Sequence, residues 1–152
     1  MDNTTENIAQ ELYETLKRAE KEVGIKEIQP NEKEIKNFCK LIDDLNPLYF
    51  ENHTFPPGYI MNLANIVLTP IILKTVPLLQ SKISGYIHVN SEVEYRKIMP
   101  MNEIYKIKII SSEPVEKKGK KVKYLSVIFK TTITDKHDEI YATDNHHFFF
   151  RL

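Results

Sequence analysis

The sequence predicts an α+β domain in which an antiparallel sheet curls around one long central helix, with a further helix at the N-terminus. Two stretches carry that expectation. Residues 58–73, Gly-Tyr-Ile-Met-Asn-Leu-Ala-Asn-Ile-Val-Leu-Thr-Pro-Ile-Ile-Leu, are apolar nearly all round, and a helix of that kind must be enclosed by other elements. After Pro77 the chain turns to isoleucine, valine, tyrosine and phenylalanine in four stretches, residues 83–96, 103–115, 121–135 and 139–151, the pattern of strands. Polar breaks around Gly119 and His137 are of hairpin length and make the strands they join antiparallel neighbours.

Each element has its own signal. Ile8, Leu12, Leu16, Ala19 and Val23 recur at helical spacing among charged residues, with Thr4 or Thr5 as a candidate cap. Gly24 and Pro30 end that first helix. Asn31 with Glu34 three residues on has the spacing of a reciprocal capping box, and Ile35, Phe38, Cys39 and Ile42 form the apolar face of the helix that follows. The pattern stops at Asp43-Asp44, and Asn46-Pro47 forces the backbone out of the helical region. The central stretch is read as a buried helix containing Pro70, because Asn62, Asn65, Thr69 and Pro70 interrupt the roughly 20 apolar residues a membrane span needs. Tyr105, Ile107 and Ile109 alternate with Lys106 and Lys108, as on a sheet with one wet face.

Composition narrows the function. The 152 residues, 41% hydrophobic and 28% charged, suit one domain with a real core. Lys plus Arg and Asp plus Glu number 21 each, so no net field draws the chain to nucleic acid or an anionic membrane. Cys39 is the only cysteine, which excludes an internal disulfide and fits a reducing, cytoplasmic setting; the N-terminus has no secretory pattern. His146 and His147 are adjacent on a strand and point to opposite faces, so they cannot chelate one ion in the ordinary way. Phe148-Phe149-Phe150 reads as a strand end packed in the sheet and at a subunit contact. The lysine-rich tip around Gly119 reads as a solvated hairpin, with the phosphates of coenzyme A as the functional alternative. No phosphate loop, dinucleotide fingerprint or nucleophile elbow is present, and neither a metal nor a cofactor is expected.

A long apolar helix followed by a sheet that can wrap it describes the hot-dog architecture. Within it, Asp44-Leu45-Asn46-Pro47-Leu48-Tyr49 resembles the signature of the MaoC-like (R)-specific enoyl thioester hydratases, Asp-x-Asn-Pro-x-His, with Tyr49 at the histidine position. Pro57-Gly58 is similar to that family's His-Gly at the start of the central helix. Val93-Glu94-Tyr95-Arg96-Lys97-Ile98-Met99-Pro100 is similar to its strand ending in an aromatic, a basic residue and proline, although Asn102-Glu103 stands where the family has Gly-Asp. The excursion from Tyr49 to Gly58 is also short for that family. The resemblance covers approximately residues 35–152. It implies two parts, an N-terminal helical extension over residues 1–30 and a single hot-dog domain over residues 31–152.

The resemblance also implies a chemistry. In the hydratases the aspartate and histidine hold a water and act as general base and acid across the double bond of an acyl thioester, while the glycine amide polarises the thioester carbonyl. Carried over, Asp44, Tyr49 and His53 are the catalytic candidates, with His53 the possible substitute for the missing base. Asn46, Pro57, Gly58 and Tyr59 are the candidates for holding the loop and the substrate. Read without the resemblance, Asp44 and Asn46 are turn residues before Pro47 and Tyr49 is a wall residue. Histidine titrates near ~6.5 and tyrosine near ~10, so Tyr49 leaves the proton shuttle incomplete. The favoured expectation is an acyl-CoA or acyl carrier protein thioester-binding chain, the non-catalytic or weakly active subunit of a hydratase or dehydratase. It would be paired as a homodimer or with a catalytic hot-dog partner. A self-sufficient hydratase is the alternative. A thioesterase is weaker, because no acid lies between Gly58 and Leu73 to act from the central helix.

Overall fold

A computed structural model describes residues 3–152. In chain order the elements are α1 (Asn3–Val23), β1 (Lys26–Ile28), α2 (Glu32–Leu41), α3 (Leu48–Glu51), α4 (Tyr59–Thr75) with a following 3₁₀ turn (Val76–Leu79), β2 (Gly85–Tyr95), β3 (Tyr105–Ser111), β4 (Val115–Lys118), β5 (Lys123–Thr134) and β6 (Ile140–Arg151). All strands belong to one antiparallel sheet in the order β1-β3-β5-β6-β2, with β4 pairing β5 beyond the end of β3.

α1 buries Ala9, Leu12, Leu16, Ala19 and Val23, the stripe that its spacing dictates, in the same core as α4. Neither threonine caps it: Thr4 and Thr5 lie within the helix, which already includes Asn3, and Thr5 is buried. Its C-terminus closes as expected, with Gly24 at φ 64° donating its amide to the Glu20 carbonyl. The stretch expected as a helical extension also supplies strand β1, whose residues pair with Tyr105, Lys106 and Ile107. α2 has the capping box: the Glu34 amide donates to Asn31 Oδ1 at 3.0 Å and the Asn31 amide to Glu34 Oε2 at 3.1 Å. Asn31→Ala removes it and is expected to cost about 1 kcal/mol, read as a lower denaturation midpoint with an unchanged slope. Ile42, expected on the buried face, is 46% exposed; α2 ends at Leu41 and the chain turns away through Asp43 at φ 54°.

The expected strand over residues 103–115 is interrupted by α1. Glu20 receives the Ser111 amide at 2.6 Å and the Ser111 hydroxyl, and Lys17 donates to the Ser111 carbonyl at 2.8 Å. β3 therefore stops there, and the segment resumes as β4. The inner face of the sheet carries Leu125, Val127, Phe129 and Ile133 from β5 and Ala142, Phe148 and Phe150 from β6, all buried against the helices. Phe149, between two buried rings, is only partly covered.

The central helix departs from expectation on one side. Leu63, Val67 and Ile71 are fully buried, yet Met61, Ile66 and Leu73 are 40%, 39% and 65% exposed, so the sheet and α1 cover one face and leave open a second on which these apolar side chains are interspersed with exposed Asn62, Asn65 and Thr69. Residues 59–79 are long and apolar enough to cross a membrane, but the fold packs their inner face into its core.

Candidate functional site

The hexapeptide closes on itself. The chain leaves α2 with the Asp44 amide donating to the Cys39 carbonyl at 2.9 Å and, through the left-handed Asp43, swings into the turn before Pro47. Asn46 Oδ1 accepts from the Leu48 amide at 3.1 Å, which starts α3 and fixes the turn. The first turn of α3 then carries Tyr49 back so that its hydroxyl donates to Asp44 Oδ2 at 2.9 Å. That hydrogen bond, followed by desolvation and the Asp44 charge, holds the Tyr49 phenol above its ordinary pKa. Burial, with the Asp44 charge adding to it, likewise raises the Cys39 thiol.

At the start of α4, Gly58 has φ −61° and ψ −17° and is exposed. Nothing in its backbone requires glycine, and an added Cβ would meet only the Phe38 ring at 3.8 Å, an ordinary contact. Among the described residues its amide donates no hydrogen bond. An open N–H at the positive end of a 17-residue helix is suited to a carbonyl oxygen or an anion.

Tyr49, Thr54, Pro57, Ile60, Tyr95, Arg96, Met99 and Pro100 are among the residues lining a cleft of about 900 Å³ beside this helix start. Tyr95 donates its hydroxyl to the Pro57 carbonyl, tying β2 to the α4 entry. Thr54 bridges to Pro100, and the Tyr105 hydroxyl donates to the Pro100 carbonyl at 2.8 Å, so the far wall is anchored to the core. Asp44 is half-buried and does not line the cleft itself; its carboxylate adjoins it through Tyr49. Tyr59 points to the other side of the helix. It is buried edge-on against Phe38 and Phe55 and borders a separate cavity of about 580 Å³ with Ile28, Glu34 and Asn62.

Of the sequence candidates, the structure thus brings together Asp44, Asn46 and Tyr49 directly, and Tyr49 with Pro57 across the cleft. His53 is exposed at φ 49°, held by its backbone to Phe50 and Met101, and its ring makes no hydrogen bond or ion pair with Asp44. Thr54, Ile60, Tyr95, Arg96, Met99 and Pro100 are among the cleft residues not singled out as candidates; for those from Tyr95 on, the signal was the strand-end motif over residues 93–100. Chemically, the arrangement offers a carboxylate engaged by a hydroxyl donor and, on the helix, an uncovered amide.

No protein-family model matches the sequence, and no curated protein matches it at a significant level. Solved structures do match. The chain superposes on a chain of the ChsH1-ChsH2 complex from Mycobacterium tuberculosis with TM-score 0.67 at 20% identity, covering 92% of this chain and 90% of that one. A monoamine oxidase regulatory protein from Archaeoglobus fulgius gives TM-score 0.64 at 15% identity, with 83% and 85% covered. The HadBC (3R-hydroxyacyl-ACP dehydratase) complex from Mycobacterium tuberculosis gives 0.54 at 10%, with 83% and 94% covered. The fold is the hot dog. In this hot dog the sheet wraps the inner face of α4, and α1 closes the core from the N-terminal side.

Proposed function

We propose that this hot-dog chain binds an acyl thioester in the cleft at the start of α4 and serves as the non-catalytic or weakly active subunit of an enoyl thioester hydratase or dehydratase of the MaoC-like kind. The observation that carries the reading is the 2.9 Å hydrogen bond from the Tyr49 hydroxyl to Asp44. It joins the motif acid directly to the residue at the histidine position, which fills the gap where the hydratase pair would hold its water. It also makes that residue a group that stays protonated at neutral pH, since its pKa is raised from an already high value. A hydratase needs one group that gives a proton and one that takes it; here Tyr49 can only give.

The thioester oxygen would lie on the Gly58 amide and the acyl chain along the apolar cleft wall of Ile60 and Met99. Two features support a second hot-dog chain beside this one. The open face of α4 exposes Met61, Ile66 and Leu73 among polar neighbours, and β2 is a sheet edge carrying exposed Tyr86, Ile87 and Val89. The ChsH1-ChsH2 and HadBC structures are themselves complexes of two differently named chains. A partner with the full Asp/His pair would supply the missing base.

The test is a crotonyl thioester hydration assay on the purified chain beside calorimetric binding of a saturated acyl thioester. Binding with negligible turnover is expected. Asp44→Asn is expected to leave that binding within about threefold, because Asp44 meets the cleft only through Tyr49, a residual difference of under 1 kcal/mol. Turnover at ordinary hydratase rates that Asp44→Asn abolishes would instead establish the self-sufficient enzyme.

A further inference from the structure

A second group of chemistry-bearing side chains lies on the concave face of the sheet, outside the cleft. Asp144 and His146 on β6 are buried, at 0% and 1% exposure, with Asp144 Oδ2 2.9 Å from His146 Nε2. Ser91 lies directly across on β2, its Oγ 2.8 Å from His146 Nδ1 and 3.0 Å from Nε2 of the exposed His88. We propose that Ser91 is an activated nucleophile, with His146 as its general base and Asp144 as the residue positioning that base, and that it accepts the acyl group of an activated ester or thioester.

The direction of the proton path follows from what each atom can do. His88 Nε2 lies 3.0 Å from the Asn90 carbonyl oxygen, which can only accept, so that nitrogen carries hydrogen and cannot take the serine proton. His146 Nδ1 is then the acceptor for Ser91, which at 2.8 Å lies closer to it than the 3.4 Å of His88 Nε2. That tautomer places the other ring hydrogen on Nε2, the nitrogen 2.9 Å from Asp144 Oδ2. The Asp144–His146 contact has ion-pair distance without hydrogen-bond alignment, leaving both carboxylate oxygens and Nε2 without an aligned partner, as is the Oγ1 of Thr131 opposite Asp144. A buried acid and imidazole so poorly repaid by structure, flanked by Phe129 and Phe148, mark a functional cluster better than a core device. The group does not converge as metal ligands would.

Ser91 is partly exposed, and His88 stacks on Phe148 at 4.8 Å. Phe148 in turn borders, with Tyr86, Leu68 and Asn65, a slot of about 130 Å³ between β2 and α4, of which Ser91 and His146 are not themselves lining residues. A second chain pairing with the β2 edge would use backbone groups in the plane of the sheet and leave Ser91 on the concave face. In the reaction Ser91 Oγ bonds to the acyl carbon while its proton passes to His146 Nδ1. The bond to the leaving oxygen or sulfur breaks, and the leaving group departs with that proton. Water then repeats the sequence, releasing the acid and restoring the serine.

The test is labelling of the full chain with a fluorophosphonate, read by peptide mass spectrometry. The wild type is expected to carry one adduct on Ser91, Ser91→Ala none, and the distant Ser84→Ala an undiminished one. His146→Gln and Asp144→Asn are expected to slow labelling by about a hundredfold or more, with folding checked by circular dichroism. The wild-type labelling rate should also follow a single ionisation with pH, a dependence expected to be lost in folded His146→Gln and shifted in folded Asp144→Asn, which loss of packing alone would not produce. An unlabelled wild type overturns the proposal, as does a Ser91 adduct formed at the same rate in folded His146→Gln or Asp144→Asn. The readout is independent of hydration, so a negative crotonyl assay does not bear on it.

Discussion

Tyr49→His is expected to raise crotonyl thioester hydration by the purified chain by about a hundredfold to ten-thousandfold, the usual contribution of one positioned acid/base group. The wild-type Tyr49 hydroxyl already reaches Asp44 Oδ2 at 2.9 Å from the first turn of α3, so a histidine starts from a backbone placed to bring an imidazole near the same carboxylate. Its ring is smaller than the phenol and leaves space beside the cleft for the water that the two groups would share. An imidazole titrating near ~6.5 can both take and give a proton at neutral pH, and beside a carboxylate its protonated form is favoured. The gain should vanish in Tyr49→His combined with Asp44→Asn. A Tyr49→His variant that binds acyl thioester but shows no gain would mean that the short loop between Asn52 and Gly58 misplaces the substrate.

Leu16→Ala is expected to destabilise the fold by about 2–5 kcal/mol, and Leu12→Ala by a similar amount. Both side chains are at 0% exposure in the core that also contains Leu63, Val67 and Ile71 of α4. The surrounding wall is built from two helices and a sheet, which cannot collapse into the void without shifting several elements. α1 is further tied to the sheet by Glu20 and Lys17 at Ser111, and to α4 by the Glu22–Lys74 ion pair at 2.7 Å. That exposed pair adds little stability. Urea denaturation checks the cost, and a Leu16→Ala midpoint close to wild type would mean that α1 is a detachable appendage.

Local signals were readable in the sequence wherever the determining residues are neighbours. The capping box of Asn31 and Glu34, the αL closure at Gly24, the central helix and the four long strands rest on spacings of a few residues. β1 escaped because Lys26-Glu27-Ile28 has only one apolar residue, and its strand state comes from pairing with β3 about 80 residues later. The break between β3 and β4 escaped because Glu20, which takes the Ser111 amide, is 91 residues away. The open side of α4 was misread because an apolar composition does not say whether its own chain or another covers it.

The site divides in the same way. Asp44, Asn46 and Tyr49 lie within six residues, and their mutual contacts follow from one turn. The opposite wall at Tyr95 and the Ser91–His146 contact, which spans 55 residues, depend on strand register. The adjacent histidines were legible as facing opposite ways, with His146 buried and His147 partly exposed. What His146 meets inside was not.

The central claim, that a thioester carbonyl rests on the helix start beside Tyr49, is tested most directly by amide NMR during titration with a non-hydrolysable acyl thioester analogue. A saturable downfield shift of the Gly58 N–H, at the same ligand concentration that perturbs Tyr49 and Tyr95, is the predicted result. Saturable binding that leaves the Gly58 resonance unmoved, or no binding at all, would contradict it.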